Sequence, residues 1–175
     1  MVNILPLDRK IDAAKCAGDW YVQKGIPAAN FLEKHAHNAK ENYAYDENTQ
    51  RLAVTYTFND KSFDGKLVKT YQKGRVMTEL GTEWAVRPYL GFICLPCYLP
   101  CELPYYILDV DEAYSYLVAS APDGGWMYIM TREQCVKEAD LRPYLDFVSK
   151  LGFDERSIKT FPQRTDAEDA WPEAS

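Results

Sequence analysis
The sequence predicts an all-β domain of short antiparallel strands, a sandwich or a barrel, followed by one helix. Three observations predict it. Apolar and polar residues alternate in short runs through the middle of the chain. Turn-forming residues punctuate those runs about every 8–12 residues. A single apolar stripe at helical spacing follows the last run.

Gly18-Asp19-Trp20-Tyr21 opens the first strand. Asn42–Tyr45 feeds the hairpin turn signal Asp46-Glu47-Asn48, and Arg51–Phe58 returns from it. Alternation there puts Leu52, Val54, Tyr56 and Phe58 on one face and Ala53, Thr55 and Thr57 on the other. Further strands are expected over Lys66–Gln72, Val76–Tyr89, Tyr105–Val110, Tyr114–Ser120 and Trp126–Thr131. Turns at Lys73-Gly74, Asp111-Glu112 and Asp123-Gly124-Gly125 separate several of them. In the helix, Leu141, Tyr144, Leu145 and Val148 form the stripe; Asp140 is the expected N-cap, Pro143 falls in the first turn, and Gly152 ends it. Residues 1–163 read as one domain, and residues 164–175, with Asp166, Glu168, Asp169 and Glu173, as a solvated acidic tail.

A chain of 175 residues has room for one domain with a real core. Its 20 basic and 26 acidic residues give a net charge of −6, which argues against a nucleic-acid partner. No apolar run is long enough to span a bilayer as a helix. Met1–Cys16 carries Asp8, Arg9, Lys10, Asp12 and Lys15 and has no apolar core of a signal peptide. The compartment stays open: cytoplasmic if Met1 is native, or periplasmic, secreted or organellar if a leader was removed. Aromatics reach 14%, with 13 Tyr, and three of the five cysteines fall within eight residues.

Three short motifs occur in a telling order. Gly18-Asp19-Trp20-Tyr21 is followed by Ile26-Pro27, then Leu108-Asp109-Val110-Asp111 with Tyr114, then Thr131-Arg132 before the helix. Together they resemble the conserved blocks of the lipocalins, over about Gly18 to Gln163. The nearest likeness is to the bacterial lipoprotein lipocalins, apolipoprotein D and plant temperature-induced lipocalins. The resemblance implies an eight-stranded antiparallel up-and-down β-barrel, a calyx, with the C-terminal α-helix packed outside. It also implies structural roles for Gly18, Trp20, Asp109 and Arg132, with the tryptophan plugging the closed end and the arginine lying across it. Such a pair is worth about 0.5–2 kcal/mol as a cation–π contact. The implied function is binding, transport or sequestration of a small hydrophobic ligand (a fatty acid, a lysophospholipid or a similar lipid), with no cofactor and no catalysis.

Tyrosine offers apolar area and a polar tip at one position, which suits a ligand cavity. The rings taken as its lining are Tyr56, Phe58, Trp84, Tyr106, Tyr116, Trp126 and Tyr128. Between Arg87 and Glu102 no residue is charged, and prolines exclude a helix or central strand. The first reading of this mouth loop is peripheral membrane docking through Phe92, Ile93, Leu95, Tyr98 and Leu99. S-acylation of Cys94, Cys97 or Cys101 would add a second anchor. A homodimer contact or a folded lid competes with it; a metal site on the three cysteines lacks the second Cys/His pair it needs. If Trp20 meets Arg132, Cys16 and Cys135 come close enough to be a candidate disulfide, free thiols being the alternative. His35 and His37 flank Ala36 near the mouth and read as incidental. No nucleophile elbow, phosphate loop or zinc-protease motif is present. An enzyme of lipocalin fold acting on a lipid or carotenoid needs two titratable groups inside the barrel, and Asp64 and Glu83 lie near strand ends.

Overall fold
The computed structural model describes residues 4–28, 30–91 and 97–164, so the tail beyond Arg164 lies outside the described residues. Eight antiparallel strands follow one another around a closed barrel: β1 (Gly18–Ile26), β2 (Ala36–Asp46), β3 (Arg51–Asp60), β4 (Leu67–Val76), β5 (Glu83–Pro88), β6 (Leu103–Val110), β7 (Tyr116–Ser120) and β8 (Met127–Thr131). A one-turn helix α1 (Asn30–Glu33) links β1 to β2, α2 (Glu138–Lys150) follows β8, and a two-residue strand β9 (Lys159–Thr160) adds to β1. Closure depends on β1. Its first half pairs with β2, Gly18 opposite Tyr43, and its second half with β8, Ile26 opposite Met127.

Period-two alternation decides which side chains fill the barrel. Leu52, Val54, Tyr56 and Phe58 of β3 all point inward, as do Leu117 and Ala119 of β7 and Tyr128 and Met130 of β8. The intervening Val118, Met127 and Ile129 point outward, where they meet Leu141, Leu145 and Val148 of α2. Leu108 points outward by the ordinary alternation, and a bulge between Ile107 and Asp109 shifts the β6 register so that Val110, rather than Asp109, takes the next inward place.

Three local expectations are revised. The run expected as a single strand over Val76–Tyr89 is the end of β4, a turn, and β5. Lys73-Gly74 is not a turn but mid-strand: a Cβ on Gly74 would lie 2.1 Å from the Ala85 carbonyl oxygen, so glycine permits a close strand approach there. The helix starts at Glu138 rather than after Asp140, Lys137 provides no side-chain cap, and Pro143 lies inside it. Its C-terminal end is as expected, with Gly152 at a φ of 99° and Phe153 N–H returning to the Val148 carbonyl.

One end of the barrel is sealed. Trp20 is fully buried, donating its indole N–H to the Cys16 carbonyl at 2.7 Å. The Arg132 guanidinium lies 3.8 Å above its ring and donates to the carbonyls of Lys15, Ala17 and Asp19, each at 2.8 Å. Gly18, at a φ of 98°, leaves room for that guanidinium. The turn between β6 and β7 is fastened by Asp111, whose carboxylate accepts from Ser115 and Tyr116 N–H, whereas among the described residues Asp109 accepts from the adjacent Val110 N–H alone. Replacing Arg132 by Ala removes four charge-assisted bonds, the fourth from Nε to the Tyr114 carbonyl at 3.3 Å, and the ring contact, so urea unfolding should show a loss of about 2–4 kcal/mol. Arg132→Lys should recover little of it, because one ammonium cannot reproduce the planar fork.

Candidate ligand-binding calyx
Toward the other end the barrel encloses a cavity of about 300 Å³. Its wall includes Tyr56 and Phe58 from β3, Val86 and Pro88 from β5, Tyr105 from β6, and Trp126 and Tyr128 at the start of β8. The rings support one another: Tyr56 stacks on Tyr128 at 6.1 Å, and Trp126 bridges Tyr105 at 4.8 Å and Tyr128 at 5.5 Å. A larger hollow of about 1000 Å³ at the sealed end is shallow and lined by charged residues including Lys10, Asp12, Glu47 and Glu79. Its polarity and exposure make it a weaker ligand site than the enclosed aromatic chamber.

Two carboxylates stand in this mainly aromatic and aliphatic wall, which also includes Thr70 and Gln72. Glu33, at the end of α1, is 5% exposed and accepts from the hydroxyls of Tyr128 at 2.7 Å and Tyr56 at 2.9 Å. The Tyr128 hydroxyl is itself positioned by Ala28 N–H at 3.1 Å. Glu41, inward on β2, is 2% exposed; Tyr43 and Tyr105 hydroxyls lie 2.5 and 2.8 Å from its Oε2, and 2.5 Å from each other. Three oxygens in mutual contact need three protons for three hydrogen bonds, and the two tyrosines supply two. A protonated Glu41 supplies the third. Burial, reinforced by the like charge of Glu33, raises the Glu41 carboxyl from 4.5 to about 7 against the pull of its hydroxyl donors. The four tyrosines are held well above their usual range, first by burial, and remain hydrogen-bond donors.

Of the rings expected in the lining, Tyr56, Phe58, Trp126 and Tyr128 face the cavity. Trp84 is buried closer to the sealed end, stacked on Tyr105 at 5.5 Å with its N–H on the Gly81 carbonyl. Tyr106 and Tyr116 point outward, because Tyr105 and Leu117 take the inward positions; Tyr116 stacks on Tyr144 of α2 at 4.7 Å. Neither Asp64, ion-paired with Arg164 on the surface, nor Glu83 lines the cavity. The carboxylates that do were not anticipated. Carrying the inward alternation of β2 back from Tyr43 would have reached Glu41; Glu33 lies in a connection that carries no periodic signal.

At the mouth, Phe92, Ile93, Cys94 and Leu95 lie outside the described residues. The ends of that loop form a ribbon continuing the barrel, with Tyr89 bridged to Tyr98 and Leu99 N–H on the Pro88 carbonyl. Tyr98 is partly exposed beneath Lys73, whose Nζ lies 4.0 Å from the ring centroid; Cys97 and Cys101 are exposed thiols. Cys16 and Cys135 are free thiols rather than a disulfide. Cys16 is buried beside Trp20, and burial pushes it up to about 12, whereas the chain after Arg132 turns along the outside of the barrel and sets the Cys135 thiol against the Gln163 carbonyl. His37 stacks edge-on against Phe63, away from the cavity, and among the described residues no group of His, Cys, Asp and Glu forms a metal cluster.

A sealed, eight-stranded up-and-down barrel with an internal chamber is the architecture of small-ligand calyces. The family model for the lipocalin-like domain matches residues 11–163, and the chain belongs to the lipocalin family. No curated protein matches the sequence significantly. Solved structures share the fold at low identity. The cockroach allergen Per a 4 is 15% identical, covering 93% of this chain and 96% of its own with a TM-score of 0.62. Lobster apocrustacyanin A1 is 15% identical over 93% and 92%, with a TM-score of 0.60. A variant of bovine odorant binding protein is 12% identical over 83% and 93%, with a TM-score of 0.52.

The raised Glu41 carboxyl ties stability to pH with a definite sign. The folded chain keeps a proton that the unfolded chain releases between pH 4.5 and about 7. Its contribution is present below that interval and is lost as pH rises through it, an effect of roughly 3 kcal/mol. Urea unfolding at about pH 5 and about pH 8 should show the unmodified protein losing that amount relative to Glu41→Gln, which carries no such proton.

Proposed function
We propose that the protein binds a small hydrophobic ligand within the barrel and carries or sequesters it. The observation that supports this most is the enclosed aromatic cavity of about 300 Å³. That size sits at the lower end of the roughly 300–1,000 Å³ of ligand pockets. It favours one slender chain, as in a fatty acid, a lysophospholipid or a similar lipid, over a two-chain lipid. Each buried methylene contributes about 0.8 kcal/mol before ordering costs. Bovine odorant binding protein, a structural neighbour named for binding odorants, is in keeping with this reading. Within the family, the Gly18-Asp19-Trp20 and Thr131-Arg132 motifs favour a place near the bacterial lipoprotein lipocalins, apolipoprotein D and temperature-induced lipocalins.

The uncharged mouth loop supports attachment to a membrane surface beside the opening, with Tyr98 and Leu99 at its described end and Cys97 and Cys101 available for acylation. A second reading, acid–base catalysis on a bound lipid, draws on Glu33 and Glu41, the two titratable carboxylates that converge on the cavity. Ligand recovered chemically unchanged after prolonged incubation would contradict it.

Native mass spectrometry of gently purified protein should reveal a bound or added single-chain amphiphile at micromolar concentration. Thr70→Trp, which fills part of the wall, should weaken binding at least about tenfold while leaving the melting temperature in place. An empty barrel that takes up no such molecule contradicts the reading. For the loop, Phe92→Asp/Leu99→Asp should abolish co-sedimentation with liposomes, and unchanged sedimentation counts against docking. Light scattering across a concentration range separates docking from a dimer contact.

A further inference from the structure
The cavity fixes where a ligand sits; its polar groups restrict what that ligand is. The wall carries two carboxylates, Glu33 and Glu41, and includes no Lys, Arg or His among the described residues. Both side chains are almost wholly buried, so water would disperse little of any charge they carry. The groups bonded to Glu41 are tyrosine hydroxyls, and the charge that acts on it is that of Glu33, of its own sign. Ionising Glu41 among these hydroxyls, with no cation beside it, is unfavourable by several kcal/mol. A carboxylate ligand seated here would bring a third acidic group against Glu33 and Glu41, with no cation in the described wall to receive it. A cation would instead meet opposite charge on one side and the faces of Tyr56, Phe58, Trp126 and Tyr128 on the other, the surroundings that attract ammonium groups.

We propose that this calyx selects slender apolar molecules bearing a cationic nitrogen, with the ammonium group seated by Glu41 and Glu33 and the hydrocarbon along the aromatic wall. The proposal rests on the reading of the barrel as a ligand-binding calyx and narrows the ligand class away from fatty acids. The Glu41 proton is the occupant that an ammonium replaces. In the empty barrel it closes the ring of hydrogen bonds with Tyr43 and Tyr105. On binding, an alkylammonium ion enters as R–NH3⁺, the Glu41 carboxyl releases its proton to solvent, and the ion pair forms. The titratable groups facing Glu41 are Tyr43 on its own strand, Tyr105 on β6, Tyr56 on β3, Tyr128 on β8 and Glu33 on α1. The tyrosines stay protonated near neutrality, so proton release on ligand binding is assigned to Glu41.

The test is a matched series with one hydrocarbon chain: decylamine, decanol and decanoic acid, each below its micelle concentration and in moderate salt. Calorimetry near pH 7.5 should rank the amine first, at least about tenfold tighter than the alcohol and tighter still than the acid. Repeating the amine titration near pH 6.5 in two buffers of different ionisation enthalpy should show proton release, absent for decanol. Glu41→Gln should weaken decylamine at least about tenfold and leave decanol unchanged, while Thr70→Trp should weaken both, which separates cavity from surface binding. The unmodified protein carries the ranking even where a variant folds poorly. Decanoic acid or decanol binding as tightly as decylamine overturns the proposal and leaves the calyx reading standing. Failure of all three to bind in the cavity overturns both.

Discussion
Everything inside the barrel depends on the clamp that closes one end of it. Arg132 follows the last strand, yet its guanidinium is held by carbonyls of Lys15, Ala17 and Asp19 at the entrance to the first. The same side chain lies on Trp20, beside the point where β1 changes partners from β2 to β8. One cation therefore ties the two ends of a cyclic sheet and covers the plug beneath. With that end sealed, the inward rings of the remaining strands enclose a chamber with its mouth at the opposite end.

The interior divides along the barrel axis. Trp20 and Trp84 form the solid floor, and the Tyr43–Glu41–Tyr105 triangle lies between that floor and the open chamber, where Tyr56, Tyr128 and Glu33 make a second polar group. A core made only of aliphatics would be more stable without these carboxylates, because buried ionisable groups are costly and are tolerated only when hydrogen-bonded. Their cost is moderated by four tyrosine hydroxyls and by a proton kept on Glu41 to about pH 7. A few placed polar groups in an apolar pocket are what orients a ligand and sets its specificity.

The fold was legible because its signals are local. Alternation in Arg51–Phe58 put Tyr56 and Phe58 on the inner face, and the glycine-x-tryptophan and arginine motifs identified the closing pair. The site was legible only in part. Tyr106 and Tyr116 were set on the wrong face because one residue of register reverses a strand side chain, and aromatic composition carries no register. Trp84 does point inward, but depth along the axis follows from the stagger of strands, which no single run reveals. Glu41 lies one residue before the expected strand Asn42–Tyr45, and Glu33 gives no local signal because its burial comes from tyrosines far away in sequence on β3 and β8. Of the two alternatives for Cys16 and Cys135, free thiols are what the structure holds, because proximity of Trp20 to Arg132 does not fix the path of the chain beyond Arg132.

The central claim is that a buried carboxyl on β2 governs the chemistry of the chamber, and it has a direct measurement. The carboxyl carbon of Glu41, followed by carbon-13 NMR through a pH titration, reports that group alone, with Glu41→Gln supplying the assignment. The account predicts a midpoint near pH 7 in the empty barrel, displaced to lower pH when decylamine is bound. A midpoint near the ordinary 4.5, unmoved by the amine, would contradict it.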